Sequence, residues 1–173
     1  AKVAPTDIDD VILGAAARLG TQQGNIARQS LLRAGLPTSV AGMSIDRQCA
    51  SGMMAIATAA KQIIDDGMNI TVGGGVESVS LVRNENFRMD NARDPWLESE
   101  IPDLYMTMIE TAETVADRYG ISRERQDEYA LQSQMRTARA QRNGFMDDEI
   151  VPLKSTMKYY DKENNIETYQ KVN

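Results

Sequence analysis

The first half of the chain alternates short apolar runs with stretches that have helical spacing. The apolar runs, each long enough for one buried strand, occupy residues 9–14, 40–45 and 69–72. Helical spacing is found in residues 25–34 and in the run that follows Cys49. Strands and helices that alternate at this spacing form a parallel sheet with right-handed crossovers. We therefore predict an α/β fold of the layered type, in which helices cover a mostly parallel sheet. The first strand is suited to burial on both of its faces.

The helix predicted after Cys49 begins with a run that is apolar nearly all round. Residues 53–60 contain a single polar side chain, that of Thr58. This composition predicts a helix buried in a core rather than one lying on a surface. Gly67 supplies the residue at which the helix can end in a left-handed conformation.

The second half of the chain has a different pattern. Residues 83–103 lose periodicity, which is typical of a domain boundary or a functional loop. We therefore divide the chain into domains at residues 1–82 and 83–173. In the second domain the pattern predicts helices at 108–119 and 122–143, an edge strand at best at 150–153, and a hairpin over 157–169 that turns at 163–165.

Composition excludes several classes of function. The 173 residues carry a net charge of −6 without a basic stripe, so we expect no nucleic-acid partner. No apolar run approaches the ~18 residues of a membrane span. The single cysteine excludes an internal disulfide, and this favours a reducing, cytoplasmic location. Because the chain also contains no histidine, we expect no metal site.

Cys49 is the candidate nucleophile. It precedes a predicted helix, where free N–H groups and the helix dipole stabilise a thiolate. Its small neighbours leave room for a substrate, and the N–H groups of Ala50 and Gly52 are expected to hold an oxyanion. The alternative is that Cys49 is a small core residue, as lone cysteines beside apolar helices often are.

Three groups of motifs follow one another along the chain. Residues 47–52 (RQCASG) and residues 73–80 (GGGVESVS) resemble, in that order, the nucleophile signature and the second signature of the thiolase family of acyl-CoA acetyltransferases. Between residues 111 and 152, the segments TAE, YGISR, QD and EIVP resemble the loop domain that holds coenzyme A. This resemblance covers nearly the whole chain.

The resemblance implies a thiolase-like fold and a set of roles. Cys49 is then the residue that forms an acyl-enzyme, and acyl-CoA and coenzyme A are substrates, with no separate cofactor. Met108 matches the family's substrate-contacting methionine, although core packing is an alternative role for it. Glu77 and Ser78 are expected to have a structural role in the turn after the third strand.

The resemblance also implies parts that lie outside these residues. In the family, the catalytic histidine, an asparagine and a second cysteine belong to a C-terminal half, and a first strand and helix precede the residues matched here. We therefore expect an incomplete N-terminal domain and part of the loop domain, inactive alone. The strand at 40–45 corresponds to one that pairs across a dimer, so a homodimer or homotetramer is expected.

The choice of reaction rests on the residues around Met108. Thr107 and Ile109 stand where acetoacetyl-CoA thiolases typically have His and Gly, which favours a degradative 3-ketoacyl-CoA thiolase. The alternatives are a biosynthetic acetoacetyl-CoA thiolase, a decarboxylating ketoacyl synthase, and a non-catalytic relative that binds acyl-CoA or lipid.

Overall fold

The computed structural model describes residues 2–82 and 90–172. The chain forms two compact units, Ala1–Ala92 and Arg93–Asn173. The division between 82 and 83 that we inferred from the sequence borders on residues 83–89, which lie outside the described residues, and it stays a prediction.

The first unit is built on a three-stranded parallel sheet. Its strands, in chain order, are β1 (Asp10–Gly14), β2 (Ala41–Ile45) and β3 (Thr71–Gly75), and their spatial order is β2-β1-β3. The three strands are in register from end to end, and at their carboxyl ends Gly14 pairs with both Ile45 and Gly75. The prediction of a parallel sheet is confirmed, but β3 extends beyond the predicted residue 72. It continues through three glycines because these pair with the carboxyl end of β1.

Helices α1 (Ile26–Arg33) and α2 (Ser51–Ile64) cover the sheet. The Asn25 side chain caps α1 by accepting a hydrogen bond from Arg28 N at 3.1 Å. Two core clusters use successive residues of β1, the central strand, whose side chains point to opposite faces of the sheet. They comprise Val11 with Leu31 and Val40, and Ile12 with Ala55 and Ala59. The predicted burial of β1 on both faces is therefore confirmed.

The prediction that α2 is buried all round is wrong for this structure. Its buried residues lie on one face, and they are Ser51, Ala55, Ala59 and Gln62. On other faces Met53 is 76% exposed and Ile56 is 59% exposed. One sheet can cover only one side of a helix, and here the packing is close. A Cβ atom on Gly73 would lie 2.8 Å from Ile56 Cα.

The first unit also contains a short helix, α3 (Val79–Val82), and two 3₁₀ turns at Pro5–Asp7 and Gly20–Gln22. The second unit begins with α4 (Pro95–Glu100), which lies inside the stretch that we expected to be irregular. Asp94 accepts hydrogen bonds from two N–H groups of its first turn, and Pro95 occupies the first helical position. These two residues were the signal for a helix, and the expectation of an irregular stretch is wrong there.

A 3₁₀ turn that the sequence pattern did not predict, Pro102–Tyr105, comes next. The elements after it follow the predicted order. They are α5 (Met108–Tyr119), α6 (Arg123–Arg142), and an antiparallel hairpin of β4 (Ser155–Asp161) with β5 (Ile166–Val172). Asp161 Oδ1 accepts hydrogen bonds from Glu163 N and Asn164 N at 2.9 and 3.2 Å, which stabilises the hairpin turn. Residues 150–153 form no strand. Pro152 lacks the N–H that a ladder requires.

Candidate active site at Cys49

Cys49 lies in a tight turn between β2 and α2. Gln48 adopts a left-handed conformation with φ of 49°, and its N–H donates to Asp46 Oδ1 at 2.8 Å. The Ser51 hydroxyl accepts a hydrogen bond from Arg47 N at 2.8 Å and donates to Gln48 O at 2.6 Å. One buried hydroxyl therefore fastens both residues that precede Cys49.

The turn presents Cys49 at the start of α2. The helix begins at Ser51, its N-cap is Ala50, and no side chain caps it. Cys49 itself is exposed. The Ala50 N–H donates to Arg47 O at 3.1 Å, so it is used within the turn. Our expectation that this N–H holds an oxyanion is therefore wrong for this arrangement.

The strands β1 and β3 both end in glycine next to the start of α2, at Gly14 and Gly75. A Cβ atom on Gly14 would lie 2.2 Å from the carbonyl carbon of Ser51, and one on Gly75 would lie 3.6 Å from Gly52 Cα. Glycine is required at Gly14 because a side chain there would collide with the backbone of α2. The start of α2 can therefore rest directly on the carboxyl ends of β1 and β3.

An open cavity of about 610 Å³ adjoins the turn at residues 46–51, which we call the nucleophile turn. Its walls come from the loop after β1, the nucleophile turn and the segment after β3. They include Ala16, Ala17, Cys49, Val76, Glu77 and Val79. Most of these side chains are small or apolar. The cavity can accommodate an apolar group next to the exposed Cys49 thiol.

Glu77 joins two walls of this cavity. Its Oε2 accepts hydrogen bonds from Ala16 N at 2.8 Å and from Ala17 N at 3.2 Å, and its Oε1 accepts one from Gln22 Nε2. The Gln22 bond is the largest influence on the pKa of Glu77 and lowers it. Burial opposes that effect, and N–H groups of Ala17, Ala16 and Ser78 lower the pKa further. The expected structural role of Glu77 is confirmed by these contacts.

Gln22 was missed by sequence reasoning. It lies in a loop between two glycines, and nothing in its local pattern marks it. Its partners Glu77 and Ser78 are 55 and 56 residues away in the sequence. Only the fold brings them together.

Comparison with known proteins identifies the family. The family model for the N-terminal domain of thiolase matches residues 1–172. The chain belongs to the thiolase family. Its fold agrees with this assignment, because the crystal structure of the acetyl-CoA acetyltransferase of Bacillus anthracis superposes with a TM-score of 0.70 at 35% identity. That match covers 98% of this chain and 43% of the other. The predicted family and thiolase-like α/β fold are confirmed.

Relatives in the thiolase family have several names. An acetyl-CoA acetyltransferase of Chromobacterium violaceum is 42% identical over 161 residues, which are 87% of this chain and 41% of that protein. A beta-ketoadipyl-CoA thiolase of Pseudomonas putida is 38% identical, with coverages of 85% and 40%. A 3-ketoacyl-CoA thiolase of Bacillus subtilis is 39% identical, with coverages of 87% and 38%. The chain thus spans about two fifths of the length of these relatives.

Met108, the second predicted site residue of this thiolase-family chain, is the first residue of α5 in the second unit. It is 80% exposed, so core packing within that unit does not account for it. Thr107, just before it, caps α5 and forms a capping box with Glu110. The substrate-binding role of Met108 stays a prediction.

No group of three or more His, Cys, Asp or Glu side chains is placed to hold a metal ion in residues 2–82 and 90–172. Within the same ranges, no helix combines the length and the hydropathy needed to cross a bilayer.

Proposed function

We propose that the protein containing this chain is an acyl-CoA acyltransferase of the thiolase type that uses Cys49 as its nucleophile. The observation that carries this proposal is the exposed Cys49 at the start of α2, next to an apolar cavity, within a thiolase-family chain. An accessible thiol in this place can act as the nucleophile of an acyl transfer.

In the thiolytic direction the reaction has two steps. The Cys49 thiolate attacks the 3-keto carbon of a 3-oxoacyl-CoA, and the bond between C2 and C3 breaks. The shortened acyl group remains on Cys49, while acetyl-CoA leaves as its enolate and takes up a proton. Coenzyme A then loses its thiol proton and attacks the acyl-Cys49 thioester, which releases the shortened acyl-CoA and regenerates the thiolate. A covalent nucleophile divides one difficult transfer into two easier ones.

Both steps require proton transfer. The chain contains no histidine, and Cys49 is its only cysteine. We propose that the general acid and base are supplied by residues outside these 173, and that this segment alone does not turn over. Coenzyme A acts as a substrate, and no further cofactor is required.

Within the family we favour a degradative 3-ketoacyl-CoA thiolase over a biosynthetic acetoacetyl-CoA thiolase. Thr107 and Ile109 flank Met108, the residue that we propose contacts the substrate. They stand where acetoacetyl-CoA thiolases typically have His and Gly, and this difference favours the degradative enzyme. The relatives' names support the shared chemistry, since they include a 3-ketoacyl-CoA thiolase, a beta-ketoadipyl-CoA thiolase and an acetyl-CoA acetyltransferase. We further propose a cytoplasmic location, because the only cysteine is a free thiol.

We also propose a homodimer or a homotetramer. β2 lies at the edge of the sheet, and in the described ranges it pairs only with β1. A second copy that pairs with β2 would cover the exposed edge.

The test is thiolysis of 3-oxoacyl-CoA substrates of several chain lengths by the protein that contains this chain. We expect turnover by the native protein, and loss of at least about a thousandfold in Cys49→Ser, because a hydroxyl ionises far less readily than a thiol. Mass spectrometry should locate the acyl group on the peptide that contains Cys49. Turnover preserved in Cys49→Ser would contradict the proposal. Binding of acyl-CoA without any acylation would instead identify a non-catalytic relative.

A further inference from the structure

Gln22 is a buried amide that links two loops of the first unit. Gln22 is only 2% exposed, and both the nitrogen and the oxygen of its side-chain amide form hydrogen bonds. Its nitrogen donates to Ala17 O at 2.7 Å and to Glu77 Oε1. Its oxygen accepts a hydrogen bond from Ser78 N. The loop after β1 and the segment after β3 are therefore joined through one side chain.

The same two loops form walls of the cavity beside Cys49. Ala17 belongs to one wall and Glu77 to the other. Two titratable residues, Cys49 and Glu77, line the cavity in the described part of the chain. The contact between Gln22 and Glu77 therefore links two walls of the cavity that Cys49 also lines.

We propose that Gln22 is a positioning residue for the reaction at Cys49, acting through Glu77 to hold the two cavity walls at a fixed separation. This proposal rests on the acyltransferase function proposed above. Glutamine suits the position because it donates and accepts at once. A carboxylate would repel Ala17 O and Glu77, and an apolar side chain would leave the Ser78 N–H without its acceptor.

The chain offers a matched control at the other end of the same strands. Asp9 Oδ2 accepts hydrogen bonds from Asn69 N at 2.8 Å and Ile70 N at 3.1 Å. Glu77 Oε2 makes the equivalent pair with Ala16 N and Ala17 N at the carboxyl end. In both cases a carboxylate accepts from two successive N–H groups, but only Glu77 also accepts from Gln22.

The first comparison is therefore between Glu77→Gln and Asp9→Asn. In either variant the amide oxygen can still accept from the two N–H groups. Glu77→Gln, however, presents an NH₂ group to the NH₂ group of Gln22, and this removes the contact. We expect kcat per titratable Cys49 to fall about ten- to a hundredfold in Glu77→Gln, because small misplacements of reacting groups have effects of that size. In Asp9→Asn, kcat per titratable Cys49 should stay within about twofold of the native value.

Normalisation to titratable Cys49 separates positioning from stability. A role in folding alone would lower the amount of active protein but leave kcat per site unchanged. The thermal unfolding of both variants, followed by circular dichroism, supplies the second control. Equal kcat values for the two variants, each measured on folded protein, would overturn the proposal.

Gln22→Glu adds a pH profile to the test. The new carboxylate lies against Glu77, and two adjacent carboxylates raise the pKa of one of them. When one of the two carboxyls is protonated, its O–H can donate to the other, and a hydrogen bond between positions 22 and 77 forms again. We expect the ratio of variant to native kcat to be lowest near pH 8 and to rise several-fold as the pH falls towards 6. A ratio that is independent of pH would contradict the role of the donor.

The outcomes also separate this proposal from the function on which it rests. If the native protein shows no thiolysis and no acylation of Cys49, the proposed function fails. If the native protein turns over and Glu77→Gln behaves like Asp9→Asn, the function stands and the positioning role of Gln22 is wrong.

Discussion

The two units of this chain maintain their secondary structure in different ways. In the first, three parallel strands and two helices enclose clusters of buried side chains, with Ile12 fully buried at the centre of one. In the second, no residue of the described range 93–172 is buried. Its helices have capped ends, and its hairpin has a hydrogen-bonded turn. Long-range packing therefore defines the first unit, whereas local contacts define the second.

The local contacts of the second unit are numerous. Asp94, Thr107 and Ser122 each cap the helix that follows by accepting a backbone N–H. Arg123 and Asp127 form an ion pair at 3.0 Å with the spacing that stabilises a helix. Such contacts contribute a few tenths of a kcal/mol to about 2 kcal/mol each. They explain why individual helices can form in a unit with no buried residues in its described range.

The largest contrast is expected from the same substitution made in each unit. Ile12→Ala removes a fully buried side chain and should lower the free energy of unfolding of the first unit by about 2–5 kcal/mol. Ile109→Ala changes a residue that is 76% exposed and should have an effect within about 0.5 kcal/mol. Denaturant unfolding of the protein that contains this chain measures both. A similar loss in Ile109→Ala would show that another surface covers α5 in that protein.

The same contrast explains which features the sequence predicted well. The strand at 9–14 and the helices predicted at 25–34 and 122–143 depend on neighbouring residues, so the local pattern contains the necessary information. Cys49 was correctly expected at the start of a helix for the same reason. The exposed side of α2 was not foreseen, because burial of a helix face depends on which other elements of the fold pack against it.

The site could be predicted only in part. The nucleophile turn has a local motif, but the glycines beneath it and Gln22 act through contacts between segments distant in sequence. Gly14 requires its small size because the backbone of Ser51 lies 2.2 Å from where a Cβ atom would be. A single sequence shows that a glycine is present but not what lies above it.

A moderate effect is expected at the start of α5. Thr107→Ala removes the hydroxyl that accepts from Glu110 N at 3.2 Å, and it should reduce local helix stability by about 1 kcal/mol. Hydrogen exchange of the first turn of α5 measures this directly. Thr111→Ala is the matched control, because the Thr111 hydroxyl donates to Thr107 O within the helix and does not cap it. Equal changes in the two variants would contradict the capping role.

The smallest effect is a dependence of α5 on pH. The backbone N–H and hydroxyl of Thr107 hold the pKa of Glu110 below its ordinary value of 4.5. The folded state thus favours the ionised carboxylate, and the stabilisation is present above pH 4.5 and is lost as the pH falls through the lowered pKa. Protection factors of the amides in the first turn of α5 should therefore decrease as the pH is lowered from 4.5 through the pKa of Glu110. In Thr107→Ala this pH dependence should become weaker, because the hydroxyl is lost while the backbone N–H still donates to Glu110. An unchanged dependence would exclude the Thr107 hydroxyl as one of its sources.

The end-to-end register of the three strands limits where the chain can change length. Deletion of Leu13, for example, leaves two outcomes. If Gly14 keeps its place beside Ser51, Val11 and Ile12 exchange faces, because side chains alternate along a strand. If Val11 and Ile12 keep their places, Gly14 moves away from Ser51, where no side chain fits. An insertion between α1 and β2, at residues 35–39, would disturb neither relationship. Insertions and deletions among homologues of this unit are therefore expected to concentrate in such connections and to spare the strands.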